Sequence, residues 1–336
     1  MVGRNLAQGK LEMYKGKKVA VVVPAYNEEK LIGRVLEMMP EYVGRVVVVD
    51  DRSDDATVEV VSSYCDPHSL GDKLVLIQHK VNQGVGGAIA SGYKWARDNK
   101  IDVTAVMAGD AQMDPDDLSG LLDPVVSGEV DYAKGNRLFT GDAWTLIPKH
   151  RYFGNSVLSL LTKIASGYWH VADSQSGYTA VSLRVLESLD LDKVYKRYGM
   201  PNHFLVMLNI YDFRVRDVPV KPVYNIGERS GIMLWKLIPK VSFLLAKCFL
   251  WRMKEKYVIR DFHPLIFFYA LAFFLLAISV PLFGRLMYIW LFAGHIPRIN
   301  ALALMFSGIT GLQSLFFAMW FDMEYNKHLG ARFGSK

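Results

Sequence analysis

Cysteine is scarce in this sequence of 336 residues, which contains only Cys65 and Cys248. The two residues form neither a CxxC motif nor any spacing used by metal-binding sites, which excludes a disulfide framework and a structural zinc site. We therefore expect two free thiols in a reducing compartment. The first 18 residues also lack the apolar core of a signal peptide, so we expect the bulk of the protein not to cross a membrane.

Charge is missing from two long stretches near the C-terminus. Residues 265–283 form a run of 19 uncharged positions, and residues 301–321 form a run of 21. Each run is long enough to cross a bilayer, which takes about 20 helical residues. The pair predicts a transmembrane hairpin with both chain ends on one side of the membrane. Two buried core helices are the alternative interpretation.

Positive charge is concentrated just before these uncharged runs. The net charge is +6, and Lys and Arg crowd residues 236–260, where large apolar residues separate them. This pattern favours an anionic membrane surface as partner and excludes nucleic acid. At about 100° per residue, four lysines fall within roughly 40° of each other on a helix: Lys236, Lys240, Lys247 and Lys254. We predict a helix lying in the membrane interface, started or kinked by Pro239; a helix packed on the globular domain is the alternative.

The same charges predict an orientation in the membrane. Lys and Arg of residues 236–260 and of the C-terminal tail outnumber Arg285 and Arg298 of the loop between the two runs. The positive-inside rule then places the N-terminal domain and the tail in the cytoplasm. The predicted plan is a globular domain over 1–231, juxtamembrane helices over 232–263, two transmembrane helices within 264–322 and a tail over 323–336. A homo-oligomer is compatible with this plan.

Short apolar runs alternate with helical patterns in the first part of the chain. The spacing predicts four strands, at 19–23, 46–49, 74–78 and 103–107, and three helices, at 28–39, 57–64 and 86–98. This alternation is typical of an α/β fold with a mostly parallel sheet. Further strands and turns are predicted at 131–139, 171–183 and 215–220, and a loop between glycines at 227–231.

Polar clusters follow three of the predicted strands. Pro24 to Glu28, Asp50 with Asp51, and Asp110 to Gln112 each stand where a strand ends. Ligands of parallel α/β sheets collect at the carboxyl ends of strands, so the three clusters predict a binding site. Oxygen-bearing side chains spaced two apart can hold a divalent cation, which we assign to Asp110. Asp114 fits either the cation or the N-cap of a following helix.

Four ordered motifs identify a resemblance to the family 2 glycosyltransferases of the GT-A (Rossmann-like) fold. They are Val22-Val-Pro-Ala-Tyr-Asn-Glu-Glu29, Val47-Val-Val-Asp-Asp-Arg-Ser-Asp54, Asn82-Gln-Gly84 and Asp110-Ala-Gln-Met-Asp-Pro115. Three further segments continue the match: Gly135-Asn-Arg137, Asp173-Ser-Gln-Ser-Gly-Tyr178 and Arg214-Val-Arg-Asp-Val-Pro-Val220. The resemblance covers residues 17–235. It is greatest to dolichyl-phosphate mannose synthases and polyprenyl-phosphate glucosyltransferases.

The resemblance implies a set of donor-site residues. Positions that match the nucleotide pocket are Pro24, Ala25, Tyr26, Glu28, Asp50, Asp51, Gly84, Ala108 and Gly109. Glu28 would bond the ribose hydroxyls, and either Asp50 or Asp51 would contact the base. Asp110 and Gln112 match the metal-binding end of the DxD-like motif, with Mg²⁺ or Mn²⁺ as the cofactor. Ala108 stands at the first acidic position of that motif, so the cation has one carboxylate fewer.

The resemblance also implies residues for the phosphates and the acceptor. Arg137 and Arg151 match positions that hold phosphates, with Lys149 and His150 as weaker candidates, and Arg229 lies in the loop expected to close over the donor. Asp173 and Gln175 match the segment near the acceptor. The predicted catalytic residues are Asp110, Arg137 and Asp173.

A lipid phosphate as acceptor dictates the expected chemistry. Its second pKa is about 6, so at neutral pH it is largely a dianion that attacks C1 of the sugar with little need for a base. Arginine suits a site that must hold two phosphates together, because its fork binds them bidentately. We expect transfer of a hexose, from GDP-mannose or UDP-glucose, to polyprenyl or dolichyl phosphate with inversion of the anomeric centre.

Three other functions compete with this one. Transfer to a lipid alcohol would need a true base, which would make Asp173 essential. A processive polysaccharide synthase would show a QxxRW segment, and the sequence has none. An inactive membrane-anchored protein that only binds nucleotide-sugars would fit Ala108.

Overall fold

The computed structural model describes residues 12–66, 68–138, 149–221, 223 and 234–331; for 149–153, 155 and 234–237 it describes the backbone alone. The chain divides into two compact units. The first comprises the described residues up to Cys248 together with 328–331, and the second is Phe249–Lys327.

The first unit is built on one eight-stranded sheet. Its strands are β1 Met13–Tyr14, β2 Lys17–Ala25, β3 Arg45–Asp50, β4 Leu74–Gln78, β5 Val103–Val106, β6 Tyr132–Asn136, β7 Thr179–Ser182 and β8 Val215–Pro219. The order is β4-β3-β2-β5-β7-β6-β8, and β1 pairs with β2 at its side. Valine-rich strands such as β3 are buried on both faces, as central strands of an α/β sheet must be.

The sheet is mostly parallel, as the sequence predicts, with one central strand reversed. The pairs β2–β3, β2–β5, β3–β4 and β6–β8 are parallel, whereas β7 runs antiparallel to both β5 and β6. Because β7 is reversed between two strands of equal direction, its first residue lies at the edge where the other strands end. The segment that enters β7 therefore reaches the same edge as the loops that leave β2, β3, β5 and β6.

Helices cover both faces of this sheet. The unit contains α1 Ile32–Glu37, α2 Thr57–Ser63, α3 Val85–Asp98, α4 Leu118–Val126, α5 Lys149–Ser166, α6 Leu183–Ser188 and α7 Met200–Ile210. Residues of α1, α2 and α4 share one apolar core with Val21 and Val23 of β2. Helix α3 packs on the opposite face, where Gly92 lies so close to Val22 that a Cβ would come within 2.3 Å of its methyl group.

Several sequence predictions need correction at their ends. The helix predicted over 28–39 forms only as α1. The amides of Glu28 and Glu29 donate to Thr57 and Asp55 in the turn before it, and the helix ends before Pro40, since the residue before a proline avoids the helical conformation. The region predicted as strands and turns at 171–183 yields only β7 as a strand. Pro239 does not start a helix, since it lies inside α8 Leu234–Lys254. The predicted loop at 227–231 lies outside the described residues.

The second unit consists mainly of two long apolar helices, α9 Leu265–Ala293 and α10 Arg298–Tyr325. They pack along each other, with Ser279 and Ser307 hydrogen-bonded at 2.8 Å and Gly311 against Leu276. Only 17% and 22% of the residues in their most apolar stretches are buried. Their apolar side chains therefore point outward, which argues against two buried core helices and favours spans of a membrane.

A buried polar cluster lies within the second unit. Arg252, in the last turns of α8, donates to both carboxylate oxygens of Asp322 of α10, at 2.8 and 2.9 Å. Tyr257, in the π-helix Glu255–Arg260 that continues α8, donates to the same carboxylate at 2.6 Å. Lys256 donates to Asn326 at 2.9 Å. This cluster joins the end of α8 to the end of α10.

Candidate active site

The sheet topology brings the predicted site residues to one edge. β2 ends at Ala25, β3 at Asp50, and Ala108 to Gln112 follow β5. β6 ends next to Arg137, and the reversed β7 is entered through the segment that carries Asp173. Residues from five strands, some more than 100 positions apart in sequence, therefore share this edge.

The backbone is strained at three of these strand ends. Asn27, Arg52 and Ala111 have φ values of 56°, 64° and 55°. These values lie in the left-handed region of backbone conformation, which residues other than glycine rarely adopt. Each follows a different strand of the proposed nucleotide pocket. Such strain persists where the surrounding structure holds it, and it is typical of ligand-binding sites.

Hydrogen bonds between the loops after β2 and β3 hold the first two strained turns. The amide of Asn27 donates to Ser53 Oγ at 2.9 Å, and the Asn27 side chain accepts from the amide of Asp54 at 2.9 Å. The amide of Glu28 donates to Thr57 Oγ1, also at 2.9 Å. The two loops thus form one rigid wall of the site.

Residues of the first motif differ in their exposure. Pro24 and Ala25 are buried, while Tyr26 is 45% exposed, so its ring is open to a ligand. Burial, followed by the negative charges of Asp110 and Asp55, raises the pKa of Glu28 to about 7. Glu28, Asp55 and Asp110 thus lie close enough for their charges to affect one another at this edge of the sheet.

Asp51 shapes the loop that carries Gly84. One of its carboxylate oxygens lies 2.7 Å from His79 Nδ1 and accepts from the amide of Gln83 at 2.8 Å. The other oxygen accepts from the amide of Gly84 at 2.6 Å. Gly84 has φ +86° and a Cβ there would lie 2.5 Å from a backbone oxygen, so only glycine fits.

Asp50 is buried beside this loop. Both its oxygens lie 3.3 Å from the amide of Ser53. Since three hydrogen-bonding groups already occupy the Asp51 carboxylate, Asp50 is the better of the two candidates for contact with a base. The base contact itself stays a prediction.

The DxD-like segment forms a tight turn after β5. Asp110 is partly exposed, and its Oδ1 accepts from the amide of Gln112 at 3.1 Å. The amide of Gly109 donates to the carbonyl of Pro24 at 3.2 Å, and the amide of Ala108 to the sulfur of Met113 at 3.2 Å. These bonds hold the turn against β2.

Asp114 is the N-cap of the short 3-10 helix Pro115–Asp117, since its carboxylate accepts from the amide of Asp116 at 3.0 Å. Of the two interpretations of this residue, the structure therefore shows the cap. No group of three or more His, Cys, Asp or Glu side chains suited to a metal occurs among the described residues.

Arg137 and Asp173 form a bidentate pair. Asp173 accepts from Arg137 Nε at 2.8 Å and from Nη2 at 3.2 Å, and its Oδ1 also accepts from the amide of Gln175 at 3.1 Å. The Asp173 side chain is 1% exposed and that of Arg137 is 28% exposed. Burial acts to raise the pKa of Asp173, but the Arg137 guanidinium and its hydrogen bonds lower it overall.

The remaining predicted residues are placed less completely. Gln175 donates to Ser174 Oγ at 2.9 Å and lies beside Asp173. The backbone of Arg151 lies in the first turn of α5, together with Lys149 and His150. Their side chains, like the whole of Arg229, lie outside what the structure describes, so their phosphate-binding roles stay predictions.

Two charged residues near the site were missed by the sequence analysis. Lys134 of β6 is fully buried, and Asp217 of β8 accepts from the amide of Ala172, the residue before Asp173, at 2.7 Å. A lysine inside the predicted strand at 131–139 and an aspartate inside that at 215–220 were the available signals. Charges within strands of a covered sheet need partners, so each marked a buried polar contact.

Comparison with known proteins adds relatives to this geometry. Residues 20–190 match the model of the family described as glycosyl transferase family 2. The chain is 30% identical to an undecaprenyl-phosphate mannosyltransferase of Micrococcus luteus, over 67% of this chain and 93% of that protein. It is 29% identical to a UDP-N-acetylglucosamine–dolichyl-phosphate N-acetylglucosaminyltransferase of Methanococcus voltae, over 62% of this chain and 87% of that protein.

Solved structures confirm the fold. A glucosyl-3-phosphoglycerate synthase of Mycobacterium tuberculosis, solved with Mn²⁺ and UDP-glucose, superimposes with a TM-score of 0.51 at 19% identity. The match covers 71% of this chain and 79% of that one. The predicted mostly parallel α/β sheet of GT-A type is therefore confirmed. With its family match, its relatives and its fold in agreement, the chain belongs to glycosyl transferase family 2 and is a glycosyltransferase.

Proposed function

We propose that this glycosyltransferase moves a hexose from a nucleotide-sugar to polyprenyl or dolichyl phosphate, with inversion at the anomeric carbon. The observation that carries the proposal is the Arg137–Asp173 pair, in which a buried carboxylate fixes a guanidinium that stays partly open to solvent. A guanidinium of fixed orientation suits the binding of a phosphate. The acceptors named for the relatives from Micrococcus luteus and Methanococcus voltae are polyprenyl-type phosphates, which supports the same class here.

The acceptor is its own nucleophile in this reaction. A phosphate oxygen attacks C1 of the sugar, and the bond from C1 to the donor diphosphate breaks as the new bond forms. The nucleoside diphosphate leaves with the electron pair, and no proton has to be removed from a dianionic acceptor. Approach opposite to the leaving group inverts C1.

The state of Asp173 supports a phosphate acceptor over a lipid alcohol. An alcohol needs a general base with a free oxygen and a pKa near the working pH. Both oxygens of Asp173 accept hydrogen bonds from Arg137, and its pKa is lowered. Asp173 is therefore a poor base, and its role is to position Arg137.

A divalent cation fits the DxD-like turn. Asp110 and Gln112 would hold it, and the small number of protein ligands suits Mg²⁺ or Mn²⁺, which keep water and substrate phosphates in their coordination shells. When bound, the cation would offset the negative charge that develops on the departing diphosphate. The Mn²⁺ in the Mycobacterium tuberculosis structure supports this assignment. The described residues thus support a cation shared with the donor.

The donor pocket lies between the loops after β2, β3 and β5. The exposed ring of Tyr26 would contact the nucleotide, and Glu28 would bond the ribose. GDP-mannose and UDP-sugars both fit this pocket in our proposal. The relative from Methanococcus voltae uses a UDP-sugar, as its name states, and adds UDP-N-acetylglucosamine to the donors worth testing.

We place α9 and α10 across the membrane, with the catalytic unit on the cytoplasmic side. Their length and outward-facing apolar side chains support the crossing, as do Lys240, Lys247 and Lys254, which are exposed just before it. The exposed thiol of Cys65 provides a test, because the other cysteine, Cys248, is buried. A membrane-impermeant maleimide should label Cys65 only after intact cells are lysed. Labelling of intact cells would contradict this orientation.

The function is tested by sugar transfer in detergent. The full chain is incubated with radiolabelled GDP-mannose, UDP-glucose or UDP-N-acetylglucosamine, together with dolichyl phosphate or diacylglycerol, with Mg²⁺ or Mn²⁺ and with or without EDTA. We expect one donor to give an acid-labile product on dolichyl phosphate that EDTA abolishes. Transfer to diacylglycerol alone, or nucleotide binding without transfer to either lipid, would contradict the proposal.

A matched pair of variants tests the cation site. Asp110→Asn should abolish turnover, because it removes the carboxylate assigned to the metal. Asp114→Asn, four positions away in the same turn, should keep turnover within about twofold, because the Asn oxygen still caps the short helix. Turnover at the wild-type level in both variants would show that Asp110 does not hold the metal.

A further inference from the structure

A buried pair of opposite charges lies under the Arg137–Asp173 pair. Lys134 of β6 and Asp217 of β8 are direct partners in the parallel register of these strands. Lys134 has no exposed surface, and Oδ1 of Asp217 is buried. Two charges in the covered face of a sheet cost stability relative to apolar residues of similar size. Their contacts therefore need a reason other than packing.

Asp217 holds the two backbone segments that carry Arg137 and Asp173. Its Oδ2 accepts from the amide of Ala172 at 2.7 Å and from Asn136 Nδ2 at 3.0 Å. Asn136 in turn accepts from the amide of Leu138 at 2.9 Å, which closes the turn around Arg137. One carboxylate oxygen thus fixes the residues that flank both members of the pair.

Lys134 holds the other end of the Asp173 segment. Its Nζ donates to the carbonyl oxygen of Ser176. Residues 172–176 are therefore fixed at the first residue by Asp217 and at the last by Lys134. Between these two points Asp173 makes its bonds to Arg137. Residues 172–176 are thus a short segment that is held at both ends.

We propose that Asp217 and Lys134 are positioning residues of the transfer reaction, which hold residues 172–176 and 136–138 so that Asp173 presents Arg137 to the acceptor phosphate. This inference rests on the proposed function for the identity of that phosphate. The two residues act through the backbone, so neither touches substrate. Misplacement of a reacting group by about 1 Å can cost about 100-fold in rate, which is the scale of effect expected here.

The hydrogen-bond geometry of Asp217 allows a sharp comparison of variants. Both of its side-chain bonds end on Oδ2, so an asparagine oxygen can accept both. Asp217→Asn should keep kcat within about threefold, while Asp217→Ala should lower kcat for the lipid phosphate by about 100-fold. The Kd for UDP or GDP should change less than twofold in both variants, since the proposed nucleotide pocket lies between the loops after β2, β3 and β5. Lys134→Met should lower kcat as Asp217→Ala does.

The ranking of these variants decides the proposal. Normal kcat in Asp217→Ala, or an equal loss in Asp217→Asn and Asp217→Ala, would overturn it. If Asp217→Ala does not fold, which its melting temperature would show, Lys134→Met provides the second test, and normal kcat in that variant overturns the proposal as well. If the wild type instead transfers sugar to another acceptor, the proposed function fails, and the same ranking measured with that acceptor still tests the positioning role.

Discussion

Two bidentate arginine–aspartate pairs lie in the molecule, one in each unit. Arg137 binds Asp173 through two nitrogens in the catalytic unit, and Arg252 binds Asp322 through two nitrogens in the unit of the long helices. They differ in what else the arginine can reach. The side chains of Arg252 and Asp322 are both 0% exposed, whereas that of Arg137 is 28% exposed.

The comparison shows that the solvent exposure of the arginine distinguishes the two ion pairs. Arg252 is fully buried and bound to Asp322, and this ion pair joins the end of α8 to the end of α10. Arg137 is fixed by Asp173 and is still partly exposed to solvent, an arrangement that suits the binding of an incoming anion. We therefore propose a structural role for the pair of Arg252 and Asp322 and a functional role for the pair of Arg137 and Asp173.

Breaking the enclosed pair should give the largest effect. Asp322→Ala leaves the Arg252 charge buried without its carboxylate, which we expect to lower the free energy of unfolding by about 3–5 kcal/mol. Thermal unfolding of the full chain in detergent measures this loss. Sugar transfer per folded molecule should stay at the wild-type level. A stable but inactive Asp322→Ala variant would place this pair in the catalytic machinery.

Breaking the open pair should affect the reaction more than the fold. Arg137→Ala should lower kcat/KM for the lipid phosphate by about 100-fold, which corresponds to about 2.7 kcal/mol of transition-state stabilisation. Arg184→Ala is the control, because Arg184 is an exposed arginine whose pair with Asp131 lies at 3.4 Å. That variant should stay within about twofold of the wild type. Unchanged kinetics in Arg137→Ala would show that Arg137 is structural too.

Replacing both members of each pair sharpens the contrast. Exchanging a buried ion pair for well-packed apolar residues is often neutral or stabilising. The double variant Arg252→Met with Asp322→Leu should therefore have a free energy of unfolding within about 2 kcal/mol of that of the wild type. Arg137→Met with Asp173→Leu should remain folded and lose transfer. Activity measured beside the melting temperature checks both outcomes. Retained transfer in the second double variant would end the distinction between the pairs.

The smallest effect concerns pH. Burial, followed by the charge of Asp173, raises the pKa of Asp217 to about 7, although Lys134 acts to lower it. A carboxyl whose folded pKa is raised contributes most stability below its unfolded pKa of about 4, and loses it as pH rises toward 7. Asp217→Asn has no proton to lose there. From pH 5 to pH 7.5, the melting temperature of the wild type should therefore fall by at least about 3 °C more than that of Asp217→Asn.

The upper limit of this window avoids a second titration. Burial lowers the pKa of Lys134 to about 8, so its proton is lost mainly above the chosen range. Tyr132, which also faces Asp217, has a raised pKa because it is buried, and it stays neutral throughout. Parallel pH profiles for the wild type and Asp217→Asn would contradict the shifted pKa of Asp217.

Local patterns predicted most of the fold and the strand ends at which the proposed donor residues lie. The runs of valine predicted the strands, and the polar residues after them predicted the edge where Glu28, Asp50 and Asp110 lie. Both predictions use only neighbouring residues, because strands and turns are recognised from short stretches of sequence. The site geometry that involves distant residues was not predictable in this way. The contact of Asp217 with the amide of Ala172 spans 45 positions, and that of Arg252 with Asp322 spans 70. The reversed direction of β7 likewise follows from its pairing with β5 and β6. The four residues of β7 do not by themselves predict this pairing.

The reversed strand has a consequence for how this protein can be altered. β6 ends at the shared edge at Asn136 and β7 begins there at Thr179, so residues 137–178 are the connection between these two strands. The strands that precede the proposed nucleotide-binding loops, β2, β3 and β5, all come before this connection in the sequence. Under the proposed function, exchanging residues 137–178 between relatives therefore replaces Arg137 and Asp173 together and leaves β2, β3 and β5 unchanged. The exchange has to keep Lys134 and Asp217, because these two residues outside the segment hold it at Ser176 and Ala172.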